Sequence, residues 1–273
     1  MFRLFGPKIT IQRQQQLTAG GMAVLWQAEQ PDGTRLIIRE LKAEHRWKLH
    51  MHRKFLRGAA IRDRVSPHPG IVYSVEYGYW RCVPFEVIEF VPGVNLNMLI
   101  LRKAAVVKTQ LLDILRQACN ALAHIHQCGY LHLDIKAENF MLNGDGDALQ
   151  VKLTDFDLAR PRHGGGRDSR RSGTADCMAP EQLKRGISGV EADIFGFGVL
   201  AYYLVTGRKP FAASTEAETR RQQVSDSFLA VEPIRINPEL TPKLNKLIMR
   251  CLEKNPATRF PNMGYLASEL ERM

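Results

Sequence analysis

No apolar run in this 273-residue chain is long enough to cross a bilayer. The longest, Ile194 to Val205, is 12 residues, where a spanning helix needs about 20; it reads instead as a buried helix. A secretory leader is not expected either, because Gly6, Pro7 and several polar residues break up Phe2 to Gln16. Cysteine is sparse: the five present are an odd number without paired spacing, which argues against a disulfide framework and for reduced thiols in a cytoplasmic protein. Acidic residues are outnumbered 28 to 38, for a net charge of +10. That charge suits an acidic partner, although a solvated basic surface is the commoner meaning; no specific nucleic-acid partner is assigned. Apolar residues make up 45% and charged residues 24%, enough for a full globular core.

The densest chemistry lies between Tyr130 and Asp157. There Tyr-Leu-His-Leu-Asp-Ile-Lys-Ala-Glu-Asn is followed by an apolar run and then Thr-Asp-Phe-Asp. Phosphoryl transfer needs a carboxylate to orient the nucleophile, a cation on the group in transit and oxygen ligands for Mg2+. Asp134, Lys136, Asn139 and Asp155 supply that set. Asp134 and Asn139, five residues apart, resemble the catalytic loop of protein kinases, and Asp155-Phe156-Asp157 resembles the metal-binding motif that follows it. A polar loop between two strands is the plainer alternative, but further landmarks follow in the family's order. Gly173 to Glu181 (Gly-Thr-Ala-Asp-Cys-Met-Ala-Pro-Glu) resembles the family's Gly-Thr-x-x-Tyr-Met-Ala-Pro-Glu, and Asp193 stands in a matching Asp-Ile-Phe-Gly-Phe-Gly.

The resemblance covers nearly the whole chain and implies an α+β, bilobal protein kinase-like fold in a single domain, 1–273. A small β-rich N-lobe of about 1–90 carries one regulatory helix, the hinge is at about 89–93, and a larger helical C-lobe runs over about 94–273, helical after Gly207; the activation segment is 155–181. It implies that Asp134 orients a substrate hydroxyl, that Lys136 neutralises developing charge, and that Thr174 ties the catalytic loop to substrate. Asn139 and Asp155 are the implied Mg2+ ligands. ATP is implied to contact Leu17, Gly20, Gly21, Leu25, Ile37, Arg39, Glu89, Val91 and Met141, with Ile88 as gatekeeper. Glu181 is expected to pair with Arg259, and Asp193 to anchor the catalytic loop. His124, His126, Cys128 and His132 could suggest a metal site. The first three, however, ride a helix, expected over Leu111 to Gln127, where alternate residues diverge, and His132 has a structural place in the family loop.

The small lobe departs from the family. Its first strand is expected from Ile9 to Leu17, and the glycine loop after it keeps Gly20 and Gly21 but has Thr18 and Ala23 where the first and third glycines belong. In the strand Arg35 to Leu41, Arg39 replaces the phosphate-gripping lysine, and Ile37 replaces a small alanine facing adenine, which crowds that site. Trp47, Met51, Phe55 and Ala59 recur at four-residue steps and predict a helix from about His45 to Arg64. The family's lysine-pairing glutamate would fall near Gly58, and no Glu occurs between His45 and Arg64. Arg39 and Gly58 therefore read as one coupled departure, with Arg39 expected to hold phosphates without a glutamate to aim it. On that reading Arg39→Lys with Gly58→Glu helps little, and Gly58→Ala stabilises the helix by up to about 1 kcal/mol. The helix cations Arg46, Lys48, Arg53, Lys54, Arg57, Arg62 and Arg64 are expected on a solvated face or against an acidic partner. Ser169 and Ser172 sit among Arg167, Arg170 and Arg171, where a phosphate could pair locally. Leu133 replaces the arginine that would relay that phosphate, so phosphorylation is not expected to be required.

Three functions fit the sequence. The first is ATP- and Mg2+-dependent phosphorylation of Ser/Thr in protein substrates, with Lys136 following the Ser/Thr pattern. The second is a pseudokinase, a binding or allosteric module, on the strength of the altered small lobe. The third is a small-molecule phosphotransferase, which Lys136 and the Met-Ala-Pro-Glu segment oppose.

Overall fold

The structure, a computed structural model, describes residues 12–19, 21–144, 146–163 and 175–273. Gly20, Thr174, Ser169 and Ser172 lie outside the described residues. The chain divides into two compact units: residues 1–92 with 155–160, and 93–154 with 161–273.

The first unit is built on five antiparallel strands, β1 (Gln12–Ala19), β2 (Ala23–Glu29), β3 (Arg35–Leu41), β4 (Ser74–Trp80) and β5 (Val83–Glu89), ordered β1-β2-β3-β5-β4. Side chains alternate across a strand. Leu36 and Ile38 of β3 therefore pack with Ala28, Phe85 and Val87 on one face, while Leu41 packs with Phe55 and Leu56 of α1 (Leu49–Val65) on the other. Arg39 and Glu86 fall on that second, helix-covered face by the same alternation. β5 is buried from Pro84 to Ile88, so Glu86 is a carboxylate in the middle of a central strand.

Two boundaries differ from expectation. The first strand runs on to Ala19 rather than ending at Leu17, and residues 9–11 of its expected start lie outside the described residues. The helix begins at Leu49, after a single 3-10 turn at Ala43–His45, and not near His45. Trp47 continues the four-residue spacing but lies off the helix and 87% exposed. Arg46 and Lys48 would place cations in a first turn, where the helix dipole disfavours them, and no side chain caps one there.

The second unit is mainly helical. α2 (Leu96–Leu101), α3 (Ala105–Thr109) and α4 (Leu111–Gln127) precede the loop 132–139, and α5 (Pro180–Arg185), α6 (Val190–Thr206), α7 (Glu216–Val224), α8 (Pro233–Ile236), α9 (Pro242–Cys251) and α10 (Met263–Glu271) follow it. α4 has the expected bounds. α6 contains the apolar run Ile194 to Val205, is buried along nearly its whole length, and stops at Gly207, whose φ of 67° is the left-handed cap glycine favours. Side chains cap other starts: Thr215 accepts from the Glu218 amide, Thr241 from Leu244 and Asn262 from Tyr265.

Three short strands, β6 (Val94–Asn95), β8 (Phe140–Asn143) and β9 (Gln150–Leu153), pair in the order β6-β8-β9, and β7 (Tyr130–Leu131) leads into the loop 132–139. Gly93 enters β6 so close to β8 that a Cβ would lie 2.1 Å from the Leu142 carbonyl oxygen, so only glycine fits. No helix among the described residues is long and apolar enough to cross a membrane.

Candidate active site

In the second unit the loop after β7 is held by Asp193 of α6. Its Oδ2 accepts the His132 amide at 2.9 Å and meets His126 Nε2 at 2.8 Å, and its Oδ1 accepts the Leu133 amide at 2.8 Å. Burial alone would raise this carboxyl, but the His126 hydrogen bond, both histidines and the His132 amide hold it below the ordinary carboxylate range. Leu133 is thereby kept at φ 63°, in the left-handed region that a γ-branched residue avoids.

That anchoring presents Asp134, Lys136 and Asn139 together. Lys136 Nζ donates to Asp134 Oδ2 at 2.8 Å, and Asn139 Nδ2 donates to the same oxygen at 3.0 Å and to the Asp134 carbonyl at 2.7 Å. Asp134 Oδ1 and the Asn139 amide oxygen have no hydrogen bond among the described residues. Met141, next along on β8, pairs with Asn95. His132 Nε2 lies 3.3 Å from the Thr154 carbonyl, and His124 lies against Cys128. With His126 bound to Asp193, these residues serve hydrogen bonds, and among the described residues no cluster of three or more His, Cys, Asp or Glu side chains is arranged to hold a metal ion.

In the first unit Arg39 is the centre of a buried charge cluster. Its Nη1 donates to Glu86 Oε2 at 2.5 Å; its Nη2 donates to Asp157 Oδ1 at 2.9 Å and lies 3.6 Å from Asp155 Oδ1. Burial works against its charge, but Asp157, Glu86 and Asp155 outweigh that and drive its pKa up. Asp155 stands at φ 56° and accepts the Asp157 amide at 3.2 Å. Burial pushes the Asp157 carboxyl up to about 6, Arg39 opposing and Asp155 adding to the rise.

Arg39 does not stand alone as the sequence suggested; its glutamate comes from β5. The register places Arg39 directly opposite Glu86. The signal was a carboxylate within the run Pro84 to Ile88, otherwise apolar, since a buried charge needs a partner.

Arg62 is the second correction. It is fully buried, with Nη1 2.9 Å from Glu86 Oε1 and its guanidinium 5.2 Å from the Phe156 ring centroid. It belongs to the core stripe of α1, seven residues after Phe55, and not to a solvated or partner-facing surface. The 2.9 Å approach is off the hydrogen-bond line, so none of its nitrogens makes a hydrogen bond. The contact is therefore electrostatic.

Gly58 is the third. A Cβ there would sit 2.6 Å from the Phe156 carbonyl oxygen and 2.9 Å from its carbon. Glycine lets the backbone at Phe156 lie against α1, so no glutamate can be restored at 58, and Gly58→Ala is not stabilising. The expected result is a loss of about 1–3 kcal/mol in urea unfolding; a gain would mean that the contact relaxes freely.

The remaining expected nucleotide residues of this unit occupy β1–β3 and the end of β5. Leu17 is exposed on β1, Gly21 is in the β1–β2 turn, Leu25 is opposite Arg39, and Ile37 is opposite Ile88. Glu89 is tied to Tyr73 by two hydrogen bonds, its amide donating at 3.1 Å and its carboxylate accepting at 2.7 Å, with Val91 just beyond. Asn139 and Asp155 belong to different units.

Arg259 meets Glu181 as expected, through Nη1–Oε1 at 2.7 Å and Nη2–Oε2 at 2.9 Å.

The protein kinase domain family matches residues 11–269 of the chain. A Clostridium acetobutylicum protein named "probable serine/threonine-protein kinase" is 29% identical over 95% of this chain and 39% of its own length. Serine/threonine-protein kinase PknA of Mycobacterium tuberculosis is 29% identical over 93% of this chain and 59% of its own. PknB of Mycolicibacterium smegmatis is 28% identical over 76% of this chain and 33% of its own. The chain thus spans about one third to three fifths of these relatives' lengths.

Proposed function

Because this chain belongs to the protein kinase family, we propose that it transfers the terminal phosphoryl group of ATP to serine or threonine hydroxyls of protein substrates. The observation that carries this reading is the set Asp134, Lys136 and Asn139, gathered on one carboxylate by hydrogen bonds of 2.8 and 3.0 Å. Asp134 Oδ1 is the oxygen that orients the hydroxyl and takes its proton. Lys136, beside it, places a positive charge where negative charge develops. Thr174, outside the described residues, keeps its proposed role of tying this loop to substrate.

Mg2+ prefers oxygen ligands, and the donor chemistry fits: a carboxylate at Asp155 and, at Asn139, an amide oxygen left over once the nitrogen is spent on Asp134. When bound, the ion would neutralise phosphate charge. The nucleotide would be held by Arg39 at its phosphates and by Leu17, Gly20, Gly21, Leu25, Ile37, Glu89, Val91 and Met141 around its base and sugar. We read 1–273 as one bilobal domain acting in the cytoplasm on protein substrates, acidic ones suiting the +10 charge.

Asp155→Ala tests the ligand assignment. Calorimetric titration of ATP with and without Mg2+ should show a Mg2+ dependence that the variant loses; a dependence left unchanged removes Asp155 from the set.

One observation favours the second reading, a nucleotide-binding or allosteric pseudokinase. Arg39 is engaged by Glu86, Asp157 and Asp155, so phosphates must compete with carboxylates for it. ATP binding without transfer would select that reading.

A further inference from the structure

Arg39 and Glu86 lie on adjacent strands, opposite each other in the β3–β5 ladder that runs from Leu36↔Glu89 to Glu40↔Phe85. Both side chains are buried, Arg39 to 7% exposure and Glu86 completely, and both face α1. We infer that Glu86 is the residue that positions Arg39 for nucleotide phosphates, and that Arg62 balances the charge on the second oxygen of Glu86 inside the sheet. The inference rests on the proposed role of Arg39 in nucleotide binding.

Three observations carry it. Glu86 holds Nη1 of Arg39 while Asp157 and Asp155 face Nη2, so Glu86 fixes one edge of the guanidinium and leaves the other edge toward the carboxylate of the metal motif. Arg62 is a costly residue to keep, fully buried with no hydrogen bond from any nitrogen. Apolar residues in place of a buried ion pair are often neutral or stabilising, so stability alone does not account for Arg62 and Glu86 together. The positions of Arg39 and Glu86, finally, are set by strand pairing. A glutamate on a helix would meet Arg39 only when the helix is docked; Glu86 meets it whenever the sheet is formed. α1 contributes Arg62, the close approach at Gly58 and the Phe55 ring, whose centroid lies 5.4 Å from the Arg39 guanidinium, but no hydrogen bond to Arg39. The Arg39–Glu86 register is thus set within the sheet, and α1 adds to it the Arg62 charge facing Glu86 Oε1.

The test is calorimetric binding of Mg–ATP and of adenosine to wild type, Glu86→Gln, Arg39→Ala and the double variant. A positioning role predicts that Glu86→Gln weakens Mg–ATP at least tenfold and leaves adenosine within twofold. Arg39→Ala should then add little in the Glu86→Gln background, because a misaimed guanidinium is already lost.

If Glu86→Gln does not fold, Glu86→Met with Arg62→Met replaces both charges by apolar side chains. It should fold and show the same selective loss of Mg–ATP. A loss shared equally by adenosine, or additive effects of the two single changes, would make Glu86 a structural residue and overturn the inference. Wild type that binds Mg–ATP without transferring phosphate would remove the kinase reading and leave this one intact. Wild-type transfer with Mg–ATP affinity unchanged in Glu86→Gln would do the reverse.

Discussion

Arg259→Ala should lower the unfolding free energy by about 3–5 kcal/mol, the usual cost of removing one partner of a buried ion pair. The Arg259 side chain is fully buried. Beyond its two bonds to Glu181, Nη1 donates to the Glu191 carbonyl at 2.7 Å and Nε to the Glu253 carbonyl at 2.8 Å, and the guanidinium lies 4.9 Å from the Phe195 ring centroid. Alanine would leave a carboxylate only 13% exposed without its cation and take a donor from the carbonyls of Glu191, Glu253 and Lys254. Domains of this kind are stable by about 5–15 kcal/mol in all, so the variant should be barely folded at physiological temperature. Arg259→Lys keeps the charge but not the planar fork and should fall between the two. Urea titration reads the effect as a lower midpoint at unchanged slope; a loss under about 1 kcal/mol would mean that the pair behaves as a solvated surface bridge.

Asp134→Asn should reduce phosphoryl transfer by about 100- to 10,000-fold, the range that a positioned general base supplies, while ATP affinity and unfolding midpoint stay near wild type. The side chain keeps its shape, so Asn139 can still donate to the position-134 carbonyl, as it does at 2.7 Å. What is lost is the negative charge that draws the hydroxyl proton and pairs with Lys136 at 2.8 Å. Steady-state kinetics separate these: kcat should fall and the KM for ATP should hold. Transfer within a few-fold of wild type would take Asp134 out of the chemistry.

The sequence was most legible where spacing and chemistry coincide. Asp134, Lys136 and Asn139 sit on one short loop, so their joint presence in the sequence already meant proximity in space. Glu181 and Arg259, 78 residues apart, could be paired only through the family resemblance, since nothing local links them. The helix boundaries at Leu111 and Gln127 followed from a long apolar stripe.

The small lobe was less legible because its logic is tertiary. Glu86 pairs with Arg39 by strand register, which no local pattern encodes, and Arg62 looked like one more cation in a basic helix. Counting its spacing from Phe55 would have put it on the core face. Gly58 read as the vacancy left by a missing glutamate, whereas its small size is what the backbone at Phe156 requires.

The most direct test of phosphotransfer is to incubate wild-type protein with Mg2+ and γ-labelled ATP, alone and with a mixed protein substrate, and to identify the labelled residues after acid hydrolysis. Phosphoserine or phosphothreonine, absent when Mg2+ is chelated, is the predicted result. No label on any protein, from wild type that binds Mg–ATP, would contradict it.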